Sequence, residues 1–136
     1  MFRKLDDSIS VSPQITPAQV AEAARLGFTA IINNRPEGEE PGQPSGAEIA
    51  AAEAAGLAYV EIPITHAGFT QEQVDAMAEA LQSAQGPILA YCRSGTRSTF
   101  VWALARGRML GDDTQSLVEK AAQAGYDLGP IRPLLA

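Results

Sequence analysis

The only cysteine in this sequence opens a short loop of arginine, serine, threonine and glycine residues. The loop consists of Cys92, Arg93, Ser94, Gly95, Thr96, Arg97 and Ser98. The apolar stretch Pro87–Tyr91 precedes it, and helix-forming sequence from Thr99 to Met109 follows. A strand, a short loop and a helix start in this order direct backbone N–H groups toward one point, where an anion can bind. A cysteine at the base of such a loop should ionise readily. The pattern therefore predicts a nucleophilic thiolate that faces an anion pocket.

Two interpretations of Cys92 compete, because a free cysteine is often a buried and inert apolar residue. Its neighbours favour the reactive interpretation, since an inert core cysteine does not need two arginines and three hydroxyl residues in the next six positions. We therefore predict that Cys92 is the nucleophile, that Arg97 assists its catalysis and that residues 93–98 bind the anion. For Ser98 two roles stay open: a hydrogen bond to the thiolate, or the cap of the following helix.

The composition limits the classes of function. The chain has 136 residues, which suits one domain over residues 1–136, and its net charge is −6 with an isoelectric point near 4.7. An acidic protein is a poor partner for nucleic acid or for an anionic membrane surface.

No apolar run approaches the ~20 residues of a membrane span, and the N-terminus lacks the apolar core of a signal peptide. Because a single cysteine forms no internal disulfide, we expect a cytoplasmic location. With His66 as the sole histidine, a cysteine-rich zinc cluster is excluded, and no metal or cofactor is predicted.

Three predicted helices begin with the same signal, a hydroxyl residue followed three positions later by Gln or Glu. The pairs are Thr16 with Gln19, Ser45 with Glu48, and Thr70 with Gln73. This spacing is that of a capping box, and each helix should end near a glycine. The expected ends are Gly27, Gly56 and Gly86. Two more helices are predicted over Thr99–Met109 and Thr114–Ala124, and the tail Tyr126–Ala136 should be irregular.

Short apolar runs of strand-forming residues follow the first helices. They are Phe28–Asn33, Leu57–Ile62 and Ile88–Tyr91. Ser8–Ser12 alternates in the manner of an edge strand and ends at Pro13. Strands that alternate with helices form a mainly parallel sheet covered by helices, so the chain is predicted to be an α/β protein. Because ligands bind at the carboxyl ends of such strands, the loops 33–40 and 63–69 should lie near the cysteine loop.

The loop after the first predicted helix and the strand Phe28–Asn33 supplies candidate substrate residues. Asn34, Arg35 and Glu37 are predicted to form a substrate loop, although asparagine and arginine side chains here can instead hold loops together through hydrogen bonds. The carboxylates of this loop are Glu37, Glu39 and Glu40. They could supply a general acid, or their charge could exclude bulky anionic substrates. A run of carboxylates in a loop is, however, usually a solvated face.

His66 is the other candidate for a catalytic acid. It lies in the loop 63–69, where a proton donor would be useful, and imidazole suits proton transfer at neutral pH. The alternative is a solvent-exposed loop histidine without a catalytic role.

Five segments, in order along the chain, resemble the phosphatase-like domain family of beta-lactamase hydrolase-like proteins. They read VSPQIT, INNRPEGEEPGQPS, GLAYVEIPIT, PILAYCRSGTRS and AGYDLGPIRP. The resemblance implies the fold of dual-specificity phosphatases, in which a short, mainly parallel sheet is flanked by helices in three layers. It also implies that Cys92 is the nucleophile and that residues 93–98 bind the anion. Members of this family are commonly labelled sulfur transferases as well.

The resemblance leaves two reactions to compare. Cysteine phosphatases of this fold use His-Cys-x5-Arg, whereas here Tyr91 precedes the cysteine and only four residues separate Cys92 from Arg97. The loop Pro63–Phe69 lacks the aspartate that such phosphatases keep as general acid. The string CRSGTRS is instead similar to the active loop of rhodaneses, whose cysteine carries sulfur as a persulfide. Because sulfur transfer needs little acid assistance, we predict a sulfurtransferase, with a cysteine phosphatase as the alternative.

The expected partners depend on the reaction. They are a small anionic sulfur donor or a phosphoester, a thiol acceptor from outside the chain, and a separate metallo-hydrolase that handles persulfide. A third class of function is a binding module that captures an anion or a phosphorylated protein without turnover.

Overall fold

One sheet and the helices on its two faces make up the described part of the chain. The computed structural model describes residues 2–51 and 55–135. The strands in these residues are β1 (Arg3–Asp6), β2 (Ile9–Ser12), β3 (Ala30–Asn33), β4 (Ala58–Glu61) and β5 (Ile88–Tyr91). Their order in the sheet is β1-β2-β5-β3-β4, with β1 antiparallel to β2 and the other neighbours parallel. The mainly parallel α/β sheet that the sequence predicts is confirmed.

The position of β2 differs from the prediction. Ser8–Ser12 was expected to be an edge strand, but β2 lies inside the sheet because β1 pairs with its outer side. The chain reverses between β1 and β2 where the Asp6 carboxylate accepts hydrogen bonds from the backbone N–H and the hydroxyl of Ser8, at 2.8 and 2.6 Å. Since the apolar content of β1 is a single buried residue, Leu5, among charged neighbours, its sequence carries no strand pattern.

The helices in the described residues begin where they were predicted to, except for α4, which begins earlier. They are α1 (Pro17–Arg25), α2 (Gly46–Ala50), α3 (Gln71–Ser83), α4 (Thr96–Leu104) and α5 (Thr114–Gln123). Both halves of the capping box are present at Thr16 and at Thr70, and the Ser45 side chain accepts from the N–H of Glu48. The second helix, expected to reach Gly56, ends at Ala50, and residues 52–54 lie outside the described residues.

Two segments at the end of the chain differ from the prediction. The helix expected over Thr99–Met109 begins earlier, at Thr96, and its last turn, Ala105–Met109, is a π-helix. The tail that was expected to be irregular contains a 3-10 helix over Gly129–Leu134. Prolines within this segment suit the tighter turn, because each lacks the N–H that a continuing α-helix would need.

Alternating residues of the strands pack against different helices. In β5, Ile88 and Ala90 contact the apolar cluster under α3, α4 and α5, whereas Leu89 and Tyr91 contact the cluster under α1 and α2. This alternation is the two-residue period of a strand that is buried on both faces. The sheet therefore lies between two helical layers, as predicted. None of the helices in residues 2–51 and 55–135 has both the length and the apolar composition needed to cross a bilayer.

The register of the parallel strands brings their carboxyl ends to one level. Tyr91 of β5 pairs with Ser12 on one side and with Asn33 on the other, and Asn33 pairs in turn with Glu61. These four residues are the last of their strands. The loops that follow them therefore meet at a single edge of the sheet.

Candidate functional site

Cys92 directly follows β5 and lies at the base of the loop to α4. Its N–H donates to the carbonyl of Ser12 at 3.4 Å, which continues the pairing with β2. The backbone N–H of Gly95 donates to Cys92 Sγ at 3.1 Å. Cys92 is fully buried but belongs to neither apolar cluster of the core. The loop therefore directs an amide at the sulfur, whose environment is polar on that side, and the reactive role of Cys92 stays a prediction.

Gly95 makes this loop conformation possible. Its φ of +92° lies in the left-handed region, which glycine adopts without a steric penalty. A side chain at this position would also overlap the hydroxyl of Tyr126. With this turn, α4 begins at Thr96, so that its N-terminus lies beside Cys92. The partial positive charge of a helix N-terminus favours an anion there.

Ser98 does not cap this helix. The N-cap residue is Gly95, and Ser98 lies within the first turn of α4. Its hydroxyl is buried and has no hydrogen-bond partner among the described residues, Cys92 included. The capping role is therefore wrong, because the left-handed turn starts the helix three residues before the serine. The hydrogen bond from Ser98 to a thiolate stays a prediction.

Arg97 is held by two other loops. Its Nη1 donates to Glu39 Oε2 and to the carbonyl of Ile64, both at 2.7 Å, and its Nη2 donates to Glu39 Oε1 at 2.9 Å. Its side chain is 12% exposed. A guanidinium has five N–H donors, so these contacts use three of them. The other two donors, including Nε–H, make no hydrogen bond to the described residues and can bind an oxyanion.

Glu39 is the residue that orients this arginine. Its Oε1 also accepts from Arg35 Nε at 2.8 Å, so that one carboxylate bridges two guanidinium groups. The hydrogen bond from Arg97, together with that from Arg35, lowers the pKa of Glu39 to about 2. The solvated face expected for these carboxylates is wrong at Glu39, whose side chain is only 16% exposed, because two arginines from different parts of the fold converge on it.

Arg35 ties the glutamate loop to the rest of the sheet edge. Besides Glu39 it donates to Gln14 Oε1 at 3.0 Å and to Glu40 Oε1 at 2.8 Å. Its side chain is buried. The alternative that this arginine holds loops together through side-chain hydrogen bonds is confirmed.

The other members of the predicted substrate loop also bond to the protein. Asn34 Nδ2 donates to the carbonyl of Ile62 at 2.9 Å, while its Oδ1 is buried without a partner among the described residues. Glu37 Oε1 accepts from the N–H of Gly46 at 2.9 Å, at the start of α2. These contacts give Asn34 and Glu37 a part in shaping the loop. Contact between this loop and a substrate stays a prediction.

Arg93 and His66 lie at the exposed rim of the site. The Arg93 side chain is 66% exposed and its Nη2 lies 3.4 Å from Glu40 Oε2. The His66 side chain is 87% exposed and its Nε2 lies 3.8 Å from Glu39 Oε2. Both residues are therefore near the charged cluster, whereas Arg35 and Arg97 are the predicted cations that are held inside it.

Tyr126 is the residue of this region that the sequence analysis did not assign. Its hydroxyl donates to the carbonyl of Ser94 at 3.0 Å, from a position 32 residues further along the chain. It was included only in the tail Tyr126–Ala136 and in the resembling segment AGYDLGPIRP, since no local pattern indicates where an isolated tyrosine in a tail packs. No group of three or more His, Cys, Asp or Glu side chains that could hold a metal ion occurs among residues 2–51 and 55–135.

Comparisons with known proteins identify the family to which this chain is similar. The family model for the phosphatase-like domain of beta-lactamase hydrolase-like protein matches residues 1–109. A beta-lactamase hydrolase-like protein of Xylella fastidiosa is 37% identical over 129 residues, which is 92% of this chain and 29% of that protein. The chain thus spans less than a third of the length of the curated relative.

Solved structures of similar fold carry phosphatase descriptions. A candidate phosphatase of Neisseria meningitidis has 35% identity and a TM-score of 0.85, with 98% of this chain and 94% of that chain covered. TpbA of P. aeruginosa, solved in complex with pTyr, has a TM-score of 0.66 at 18% identity, over 92% of this chain and 75% of that one, which shows a shared fold. From the family match and the level of identity, this chain belongs to the family of phosphatase-like domains of beta-lactamase hydrolase-like proteins.

Proposed function

We propose that this chain is a cysteine-dependent phosphatase-like hydrolase in which Cys92 attacks a small phosphoester. The observation that carries the proposal is the Gly95 N–H on Cys92 Sγ beside an Arg97 that keeps two donors free. The phosphatase descriptions of the structural relatives support this reaction better than the sulfur transfer that the sequence analysis favoured. The phosphotyrosine bound by TpbA supports phosphoesters as the substrate class.

The reaction would proceed in two displacements. The Cys92 thiolate attacks phosphorus, an S–P bond forms and the P–O bond of the ester breaks, with the leaving oxygen taking the electron pair and a proton. Water then attacks phosphorus, which releases inorganic phosphate and restores the thiolate. The loop amides and the two free N–H groups of Arg97 would stabilise the charge on the phosphoryl oxygens in both steps.

His66 is the proposed proton donor to the leaving group. Glu39 is unsuited to that role, because its pKa of about 2 keeps it ionised at neutral pH. His66 lies on the loop after β4, 3.8 Å from the Glu39 carboxylate, and its high exposure leaves it able to approach a bound ester. A general acid contributes about 10²–10⁴-fold to the rate, so His66→Ala should lower phosphatase activity by about 10²-fold.

Sulfur transfer is the second candidate, and one observation favours it. Only four residues separate Cys92 from Arg97, one fewer than in the His-Cys-x5-Arg loop of cysteine phosphatases. In this reaction the Cys92 thiolate attacks the outer sulfur of thiosulfate, the S–S bond breaks, and sulfite leaves with the electron pair. The persulfide then passes its sulfur to an external thiolate. A separate metallo-hydrolase that handles persulfide would be a partner in this case.

The two reactions can be distinguished with the same protein preparation. We expect the purified chain to release phosphate from an aryl phosphate and Cys92→Ser to release none. The control is Ser116→Ala, which removes a half-buried hydroxyl at the first turn of α5 and should retain activity. Mass spectrometry after incubation with thiosulfate tests the second candidate. An added sulfur atom on Cys92 without any phosphate release would overturn the phosphatase proposal.

A further inference from the structure

The peptide bond between Ser94 and Gly95 contacts two side chains from opposite sides. Its N–H, on Gly95, donates to Cys92 Sγ at 3.1 Å. Its carbonyl, on Ser94, accepts from the Tyr126 hydroxyl at 3.0 Å. In a trans peptide the N–H and the C=O point in opposite directions within one plane. Tyr126 and the Cys92 sulfur therefore lie at the two ends of the same peptide dipole.

The orientation of this peptide decides the field at the sulfur. With the N–H directed at Sγ, the peptide stabilises a thiolate. Rotation of the plane by half a turn would place the carbonyl oxygen there and repel it. Glycine at position 95 gives the backbone freedom to rotate, so the loop alone does not fix the orientation. The hydrogen bond from Tyr126 favours the orientation seen here and, by polarising the carbonyl, strengthens the N–H as a donor.

Tyr126 is itself held firmly in place. It is 8% exposed, belongs to the larger apolar cluster, and its ring lies under the guanidinium of Arg3 at 5.3 Å. Arg3 in turn donates to the carbonyl of Ala124 at 3.5 Å. Burial raises the pKa of Tyr126, so the hydroxyl keeps its proton and acts as a donor. The hydroxyl also occupies the space next to Gly95 that a side chain there would need.

We propose that Tyr126 is a positioning residue of the Cys92 loop, which holds the Ser94–Gly95 peptide with its N–H on the sulfur. The proposal rests on the proposed role of Cys92 as a nucleophilic thiolate, whichever electrophile it attacks. The hydroxyl of Tyr126 bonds to the Ser94 carbonyl and not to the sulfur, so Tyr126 acts through the backbone. It also lies outside residues 1–109, the part of the chain that the family model matches.

The experiment measures the alkylation rate of Cys92 by iodoacetamide as a function of pH in the folded protein. Because the chain has one cysteine, the signal belongs to this residue alone. For Tyr126→Phe we expect the midpoint of the pH dependence to rise by about half to one pH unit, since one hydrogen bond to the loop is lost. The matched control is Tyr59→Phe, whose hydroxyl bonds to Asn33 and Glu61. This variant should keep the wild-type midpoint.

A second variant covers the case in which Tyr126→Phe does not fold. Replacement of Tyr126 by 3-fluorotyrosine keeps nearly the same shape and makes the hydroxyl a stronger donor, so the midpoint should fall. An unchanged midpoint in the folded variants, or an equal shift in Tyr59→Phe, would overturn the proposal. Alkylation is measured without substrate. A wild-type protein that neither releases phosphate nor accepts sulfur would contradict the proposed function. A shift of the alkylation midpoint in Tyr126→Phe would still support the positioning role of Tyr126.

Discussion

The charged residues near Cys92 form ion pairs with one another. Glu39 accepts from Arg97 and Arg35, and Glu40 pairs with Arg35 and Arg93. A carboxylate thus occupies the end of the Arg97 guanidinium, and the side edge of the guanidinium remains for a ligand. At the scale of single residues, the site combines an arginine that Glu39 holds in place with a backbone amide directed at the Cys92 sulfur.

Arg97→Lys tests whether the planar fork of the arginine matters beyond its charge. A lysine keeps the positive charge but cannot bond to Glu39 with two nitrogens and to a substrate with two others. We expect kcat/KM to fall by about 10²–10³-fold, the range for losing a placed donor to a developing negative charge. The control Arg93→Lys, at the exposed rim, should change kcat/KM by less than about 3-fold. Equal losses in the two variants would contradict the geometry described here.

Glu39 makes stability depend on pH in the acid range. Its pKa is about 2 in the folded protein against 4.5 for an ordinary glutamate, so the folded state binds protons less readily than the unfolded state. The stabilisation is therefore present above pH 4.5 and is lost as the pH falls toward 2. We expect the free energy of unfolding to drop by about 2–3 kcal/mol over this range.

The Glu39→Gln variant provides the comparison for this pH profile. It should be less stable than wild type at neutral pH and should show a flatter decrease in acid, as measured by urea unfolding at several pH values. Glu48→Gln, an exposed glutamate in α2, is the matched control and should follow the wild-type profile. A wild-type profile in Glu39→Gln would show that the carboxylate contributes no stability.

At the scale of elements, the parts with local signals could be predicted and the others could not. The strand Ile88–Tyr91 and the helix starts after Thr16 and Thr70 agree with the sequence, because apolar runs and capping boxes are local features. β1 was missed because its residues are mostly charged. The contact of Glu39 with Arg97 spans 58 residues, and no spacing rule connects a loop carboxylate with an arginine so far along the chain.

The substitution Gly95→Ala tests the packing of the Cys92 loop when it is compared with the same substitution at Gly27, a glycine of nearly the same φ. Gly27 has a φ of +93°, close to the +92° of Gly95, and nothing lies within 4 Å of where its side chain would be. Gly27→Ala should therefore cost only the strain, about 1 kcal/mol. Gly95→Ala adds the overlap with Tyr126 and should cost at least about 2 kcal/mol, together with most of the activity. Chemical denaturation measures both, and equal costs would argue against the packing of Tyr126 on the loop.

At the scale of the whole molecule, the last helix belongs to the same core as the sheet. The family model ends at residue 109, yet residues beyond it fill the larger apolar cluster. Those buried there are Leu117, Ala121, Tyr126, Leu128, Ile131 and Leu135. The part of the chain after α4 therefore contributes both to the stability of the fold and, through Tyr126, to the loop of Cys92.

Leu117→Ala measures how much this last helix contributes. Leu117 is fully buried, and removing its side chain should lower the free energy of unfolding by about 3 kcal/mol. Leu26→Ala is the same substitution at a residue that is 60% exposed, and it should cost less than about 0.5 kcal/mol. Both are measured by urea denaturation. Similar small values would indicate that α5 packs only loosely on the sheet.

The mutual pairing of arginines and glutamates at the site has a consequence for the encounter with substrate. Paired in this way, the cluster presents little net positive potential at a distance, while the whole protein carries a charge of −6. An anionic substrate is then weakly repelled as it comes near, and this repulsion is screened beyond the Debye length, which is about 8 Å at physiological ionic strength. Added inert salt should therefore speed the association of an anionic substrate or leave its rate unchanged. In an enzyme that attracts its substrate electrostatically, the same salt would slow association. Capture of the anion in this protein depends on short-range contacts made after collision.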